Sequence, residues 1–175
     1  TIYLTASSLK MKTGQSTTAF KATGFSEGDY VTAVTSNKPR TVKVTNVNKN
    51  GTFKLTAGKK KGSAVVTVTL ASKKTASFKV TVQKAAVKTT KITTTTKSLT
   101  LAKGATYKKL ASSIAVTPVT SKEKVTYSSS NKKVATVSSK GVIKAKKKGT
   151  AKIVAKIGKK KYTCKVVVKA KKKAK

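Results

Sequence analysis

Apolar side chains in this chain recur at every second position, and that period constrains the fold more than any other feature. In Thr150-Ala151-Lys152-Ile153-Val154-Ala155-Lys156-Ile157, one face is Ala151, Ile153, Ala155 and Ile157, and the other carries Lys152 and Lys156. Tyr162, Cys164, Val166 and Val168 share a face a few residues later. Upstream, Ala64, Val66, Val68 and Leu70 do the same, as do Phe78, Val80 and Val82. Period two in β-branched residues is the pattern of half-buried strands, and the abundant Thr favours strand further. No segment reads as an amphipathic helix, so an all-β chain is expected.

Turn signals fall between these runs, and they fall twice. Asn50-Gly51 and Lys140-Gly141 occupy equivalent places. Asn-Gly is a hairpin signal because both central residues of a type I′ turn need positive φ. Ser72-Lys73-Lys74 and Gly158-Lys159-Lys160 close the last hairpin of each copy, and Gly14 matches Gly104. Gly14 lies 90 positions from Gly104, Asn37 94 from Asn131, Gly62 87 from Gly149 and Phe78 86 from Cys164. Such drift is expected where loops gain and lose residues and strands do not. The pattern implies two tandem modules, residues 1–84 and 85–169, followed by a disordered basic tail, 170–175. The connector, residues 82–88, has no Gly, Pro or Ser. It reads as strand running almost directly into strand and predicts a semi-rigid, elongated pair, since flexible linkers are Gly/Ser-rich.

One stretch is more specific than periodicity. Val125-Thr126-Tyr127-Ser128-Ser129-Ser130-Asn131-Lys132-Lys133-Val134-Ala135-Thr136-Val137 continues into Gly141-Val142-Ile143-Lys144-Ala145 and Gly149-Thr150-Ala151. It resembles the signature of the bacterial immunoglobulin-like domain, group 2, a module of intimin- and invasin-type surface proteins. A weaker copy runs through Ser36-Asn37-Lys38, Asn50-Gly51 and Gly62-Ser63-Ala64. The resemblance implies two Ig-like Greek-key β-sandwiches and a non-catalytic, extracellular spacer or adhesion role at the bacterial surface. The family has an aromatic where Tyr127 stands, and the first copy places Ala33 there.

Charge is the other extreme property. The chain has 41 basic and 3 acidic residues, a net charge of +38, and its one arginine is Arg40. Residues 1–84 hold 15 basic and 2 acidic residues, and residues 85–175 hold 26 and 1. A field of this size attracts polyanions and repels itself. Lys152, Lys156, Lys165 and Lys169 stand at outward strand positions and are expected to form one basic face joined by Lys159, Lys160 and Lys161 at the hairpin. Lys146, Lys147 and Lys148 complete the candidate polyanion-binding set. The competing reading of such clusters is turn solubility and protection of sheet edges. Anionic cell-wall or host-surface polymers are the candidate partners. A non-specific nucleic-acid-binding protein is a further alternative, but sequence-specific readers need Arg forks and stacking aromatics, which this composition lacks.

The absence of other chemistry points away from catalysis. There is no histidine, hence no His-based triad or metal site. Glu27 and Asp29 flank Gly28 and read as solvated loop acids, and three acids make a poor calcium site. No metal or cofactor is expected. The single cysteine, Cys164, alternates with Tyr162 and Val166 and reads as a buried structural thiol. Tyr30 is the one aromatic to consider as a sugar platform. No apolar run could span a membrane as a helix, and the chain begins without Met or signal peptide, as a mature or excised piece of a longer polypeptide would.

Overall fold

The computed structural model describes residues 1–171; from Lys172 onward the basic tail expected over 170–175 lies outside the described residues. The chain is all-β, with eighteen strands and one 3₁₀ turn, Ala111–Ser113, among the described residues. It forms two compact units. Unit 1 is Thr1–Val87 with the segment Pro118–Lys122, and unit 2 is Lys88–Thr117 with the chain from Glu123 onward.

Unit 1 contains β1 (Tyr3–Leu4), β2 (Ser8–Lys12), β3 (Ser16–Thr17), β4 (Ala22–Thr23), β5 (Val31–Ser36), β6 (Val42–Thr45), β7 (Lys54–Ala57), β8 (Gly62–Leu70) and β9 (Thr75–Gln83). One sheet runs β2-β9-β8-β5, with β2 parallel to β9; the other runs β3-β7-β6, with β1 pairing β4. This is the arrangement of an Ig-like Greek-key sandwich in which β2 crosses over to pair with the last strand, β9. Segment 118–122 belongs here because it is anchored by hydrogen bonds. The Thr120 hydroxyl donates to the Lys10 carbonyl, and the Gln15 amide donates to the Thr120 carbonyl at 2.7 Å.

Unit 2 repeats the topology with β10 (Lys91–Thr94), β11 (Ser98–Ala102), β12 (Thr106–Tyr107), β13 (Ile114–Thr117), β14 (Val125–Ser129), β15 (Ala135–Val137), β16 (Ile143–Ala145), β17 (Gly149–Ile157) and β18 (Lys160–Lys169). Its sheets are β11-β18-β17-β14 and β12-β16-β15, with β10 pairing β13.

Matching ladders fill their cores differently. In unit 1 the centre is aromatic: the Phe20 and Phe78 rings stack with centroids 4.1 Å apart, and Phe53 lies 6.2 Å from Phe78. In unit 2, Cys164 faces Ile153 as Phe78 faces Val66. Leu110 stands three residues past Tyr107 as Phe20 stands three past Thr17. The lost volume returns at the rim, where Tyr107, Tyr127 and Tyr162 pack half-buried against the core. The Tyr162 hydroxyl donates to the Thr96 carbonyl.

Register corrects two sequence equivalences. Tyr127 pairs with Ala155 and Val34 with Val68, so the counterpart of Tyr127 is Val34, not Ala33. An irregularity between Val31 and Ala33 shifts that strand by a residue. Asn37 corresponds to Ser130 rather than Asn131. Asn37 Oδ1 accepts the Val65 N–H at 2.8 Å, and Ser130 Oγ accepts the Lys152 N–H at 2.8 Å, the same bond made by different side chains.

Candidate polyanion-binding face

The inward period of β17 and β18 forces their lysines outward. Ala151, Ile153, Ala155 and Ile157 on one strand and Cys164, Val166 and Val168 on the other are buried. The alternate positions therefore face solvent, and antiparallel register sets lysine directly opposite lysine. Lys152 pairs with Lys165 and Lys156 with Lys161, separated by the pair Val154–Thr163. The two lysine pairs lie about 13 Å apart along the strands, and all four lysines are exposed. On the flanking strands, Thr126 lies beside Lys156 and Ser98 beside Lys165. Like charges directly opposite one another destabilise a ladder. None of the four has a carboxylate partner among the described residues.

The other members of the expected set do not join this patch equally. Lys169 shares the outward parity but lies at the far end of β18, beside Ala102. Lys159 sits in the two-residue turn between β17 and β18, where Gly158 has φ 55°. Lys160 pairs with buried Ile157 and has the inward parity, so it projects beyond the core edge on the side opposite Lys161. Lys146, Lys147 and Lys148 bridge β16 and β17 at the other end of the hairpin, with the Lys146 and Lys147 N–H groups on the Val134 carbonyl. The continuous face is thus Lys152, Lys156, Lys161 and Lys165.

The acids anchor turns. Asp29 Oδ1 accepts the Tyr30 and Ser72 N–H groups at 3.0 and 3.1 Å, and Oδ2 accepts the Ser72 hydroxyl at 2.5 Å. The Ser72 hydroxyl holds the Asp29 carboxyl below its usual pKa. This latches the β8–β9 turn, in which Lys73 adopts φ 68°. Glu123 accepts the Thr89 N–H at 2.8 Å and pairs with Lys88 at 3.5 Å, and the Thr89 amide lowers its pKa. Glu123 lies under the other hairpin, so close that a Cβ on Gly158 would come 2.7 Å from Oε2. Glu27 is exposed.

Cys164 is fully buried, and burial pushes its thiol pKa up. Tyr30 is exposed, but its ring carries the Lys49 ammonium 5.1 Å from the centroid, which occupies one stacking face. No group of His, Cys, Asp and Glu among the described residues could hold a metal ion, and no helix among them is long and apolar enough to cross a membrane. Sequence reading did not find the shallow cleft of about 300 Å³ lined by Tyr127, Ser128, Ser129, Lys132, Thr136 and Val137. It arises because β14 and β15 belong to different sheets, and no periodic signal marks it.

Residues 123–170, which span β14 to β18, match the family model of the bacterial Ig-like domain described as Big-like. A search of curated proteins found no match. Among solved structures, a bacterial Ig-like domain containing GH10 xylanase from termite gut is 23% identical, with a TM-score of 0.37, over 44% of this chain and 20% of that one. Domains 1–6 of the surface layer protein SbsC are 22% identical, with a TM-score of 0.43, over 83% of this chain and 20% of that one. Domains 5–6 of SbsC are 17% identical, with a TM-score of 0.45, over 98% of each chain. The chain spans about a fifth of the xylanase and of the six-domain SbsC structure.

Proposed function

We propose that this chain is a non-catalytic, extracellular spacer or adhesion module of a bacterial surface or secreted protein, built from two tandem Ig-like domains, 1–84 and 85–169, of the group 2, intimin/invasin type. The observation that carries the reading is the bacterial Ig-like match over residues 123–170. The β-sandwich supports it, as does the use of Asp29 as a turn anchor rather than as half of a reactive pair with Glu27. Antibody against this chain should label intact cells of the native producer as strongly as permeabilised ones. Labelling that requires permeabilisation would overturn the extracellular reading.

The paired lysines of β17 and β18 favour a second, compatible reading, a cationic module that binds anionic polymers of the cell envelope. The nucleic-acid alternative has less support, because Arg40 lies in unit 1 and Tyr127 and Tyr162 are half-buried on the core side of the sheet, away from the lysines.

A further inference from the structure

The same sheet face occurs twice in this chain, once with four lysines and once with one. The ladder places Lys152 opposite Lys165 in unit 2 and Val65 opposite Lys79 in unit 1. It places Lys156 opposite Lys161 in unit 2 and Thr69 opposite Thr75 in unit 1. The intervening pairs are Val154–Thr163 and Thr67–Ser77, and the latter hydroxyls are hydrogen-bonded at 2.8 Å. The matching ladder therefore accepts a face on which no lysine stands opposite another. The opposed lysines are not needed to solubilise a turn, and they sit in the middle of a sheet rather than at its edge. They add repulsion that the fold does not require.

We propose that this face of unit 2 binds a linear anionic glycan lying along β17 and β18, each lysine pair holding one acidic group of the polymer. Two cationic pairs about 13 Å apart match a polymer with charges at intervals rather than one compact anion. Hydroxyls flank the lysines in register: Ser98 beside Lys165 can donate to and accept from a hydroxyl-rich chain, and Thr126 beside Lys156, whose proton goes to the Lys156 carbonyl at 3.4 Å, can accept. A nucleic acid would call for exposed aromatics or Arg. A membrane surface would call for apolar anchors, and the exposed large hydrophobics among the described residues, Tyr3, Tyr30, Val47 and Val65, are all in unit 1. The site goes beyond the spacer reading and does not depend on it.

The test uses the full chain and two variants of equal net charge. The face variant, Lys152→Val with Lys156→Thr and Lys161→Thr, copies unit 1. The control, Lys146→Thr with Lys147→Thr and Lys148→Thr, removes as many charges from the far loop. Binding to a size-defined heparin oligosaccharide at physiological salt should weaken about tenfold in the face variant, the sum of three exposed ion pairs of ordinary strength, and less than threefold in the control. The face variant should also melt higher than wild type at low salt, which separates lost contacts from lost folding. Equal weakening in the two variants would show bulk charge alone and overturn the proposal. Tighter wild-type binding to oligo-dT of matched charge or to phosphatidylglycerol vesicles, or no heparin binding at all, would overturn it as well. Surface labelling of cells is unaffected by these outcomes, so this proposal and the extracellular reading fail separately.

Discussion

Phe78→Ala tests how the first unit is held together. Phe78 is 2% exposed and stacks on Phe20 at 4.1 Å, with Phe53 beside the pair, 6.2 Å from Phe78 and 6.3 Å from Phe20. Truncating a buried Phe costs about 3–5 kcal/mol, because the cavity only partly collapses. Loss of the offset ring pair adds about 0.5–1.5 kcal/mol. A loss near 5 kcal/mol is expected, since β8 on one side and two fixed rings on the other leave little to move into the space. That is a large part of the roughly 5–15 kcal/mol typical of a domain, and at about 4–8 °C per kcal/mol the transition of this unit should fall by tens of degrees. Cys164→Ala perturbs the equivalent ladder position in unit 2 but removes one sulfur, so about 1 kcal/mol is expected. Calorimetry and urea titration of the full chain measure the losses, and hydrogen exchange in β8–β9 against β17–β18 assigns them. Similar losses at the two positions, or less than about 1.5 kcal/mol for Phe78→Ala, would refute the claim that unit 1 is built around its ring stack.

Four further outcomes are expected. The Asp29 and Glu123 pKa values are lowered in the folded state, so their stabilisation is present above the unfolded carboxylate range near about 4 and is lost as pH falls through the lowered native values. Melting scans from pH 6 to 2 should show this decline, and Asp29→Asn should reduce it. A thiol reagent should label Cys164 only after denaturation; rapid native labelling would show the β18 register to be wrong by one residue. Melting temperature should rise with salt as the Debye length contracts from about 30 Å at 0.01 M to about 10 Å at 0.1 M, because +38 is almost uncompensated; a fall would count against self-repulsion. Gly141→Ala should cost about 1–3 kcal/mol in urea titrations, because Gly141 has φ +78° and a Cβ would meet the Tyr127 ring at 2.9 Å.

Period two made the long strands and their inward faces legible before any coordinates. Ala151 to Ile157 and Phe78 to Val82 alternate as buried and outward residues where the sequence places them. The same parity put Lys152, Lys156 and Lys165 outside. It also contained the answer for Lys160, which shares the parity of Tyr162, but the run of three lysines hid it. Other features left no periodic trace. The irregularity in β5 moved the Tyr127 equivalence from Ala33 to Val34, because one displaced residue changes every later pairing. Asn37 and Ser130 make one bond with different chemistry, so matching letters selected Asn131 instead. The attachment of Thr120 to Lys10 and the Asp29–Ser72 latch join residues 110 and 43 positions apart, a separation at which composition carries no signal.

The opposite distribution of volume in the two cores bears on how the chain avoids misfolding. Neighbouring copies of one topology invite strand exchange, the characteristic failure of tandem domains. Here the last hairpin strands are not interchangeable. If β9 entered the second sandwich, Phe78 would arrive where only a thiol fits, beneath a rim already filled by tyrosines, and would overpack it. If β18 entered the first, Cys164 would face Phe20 and Phe53 across a void. Each mispaired form is penalised by its own contents, so a nascent chain with nearly repeating backbone instructions carries side chains that sort its strands into the correct sandwich.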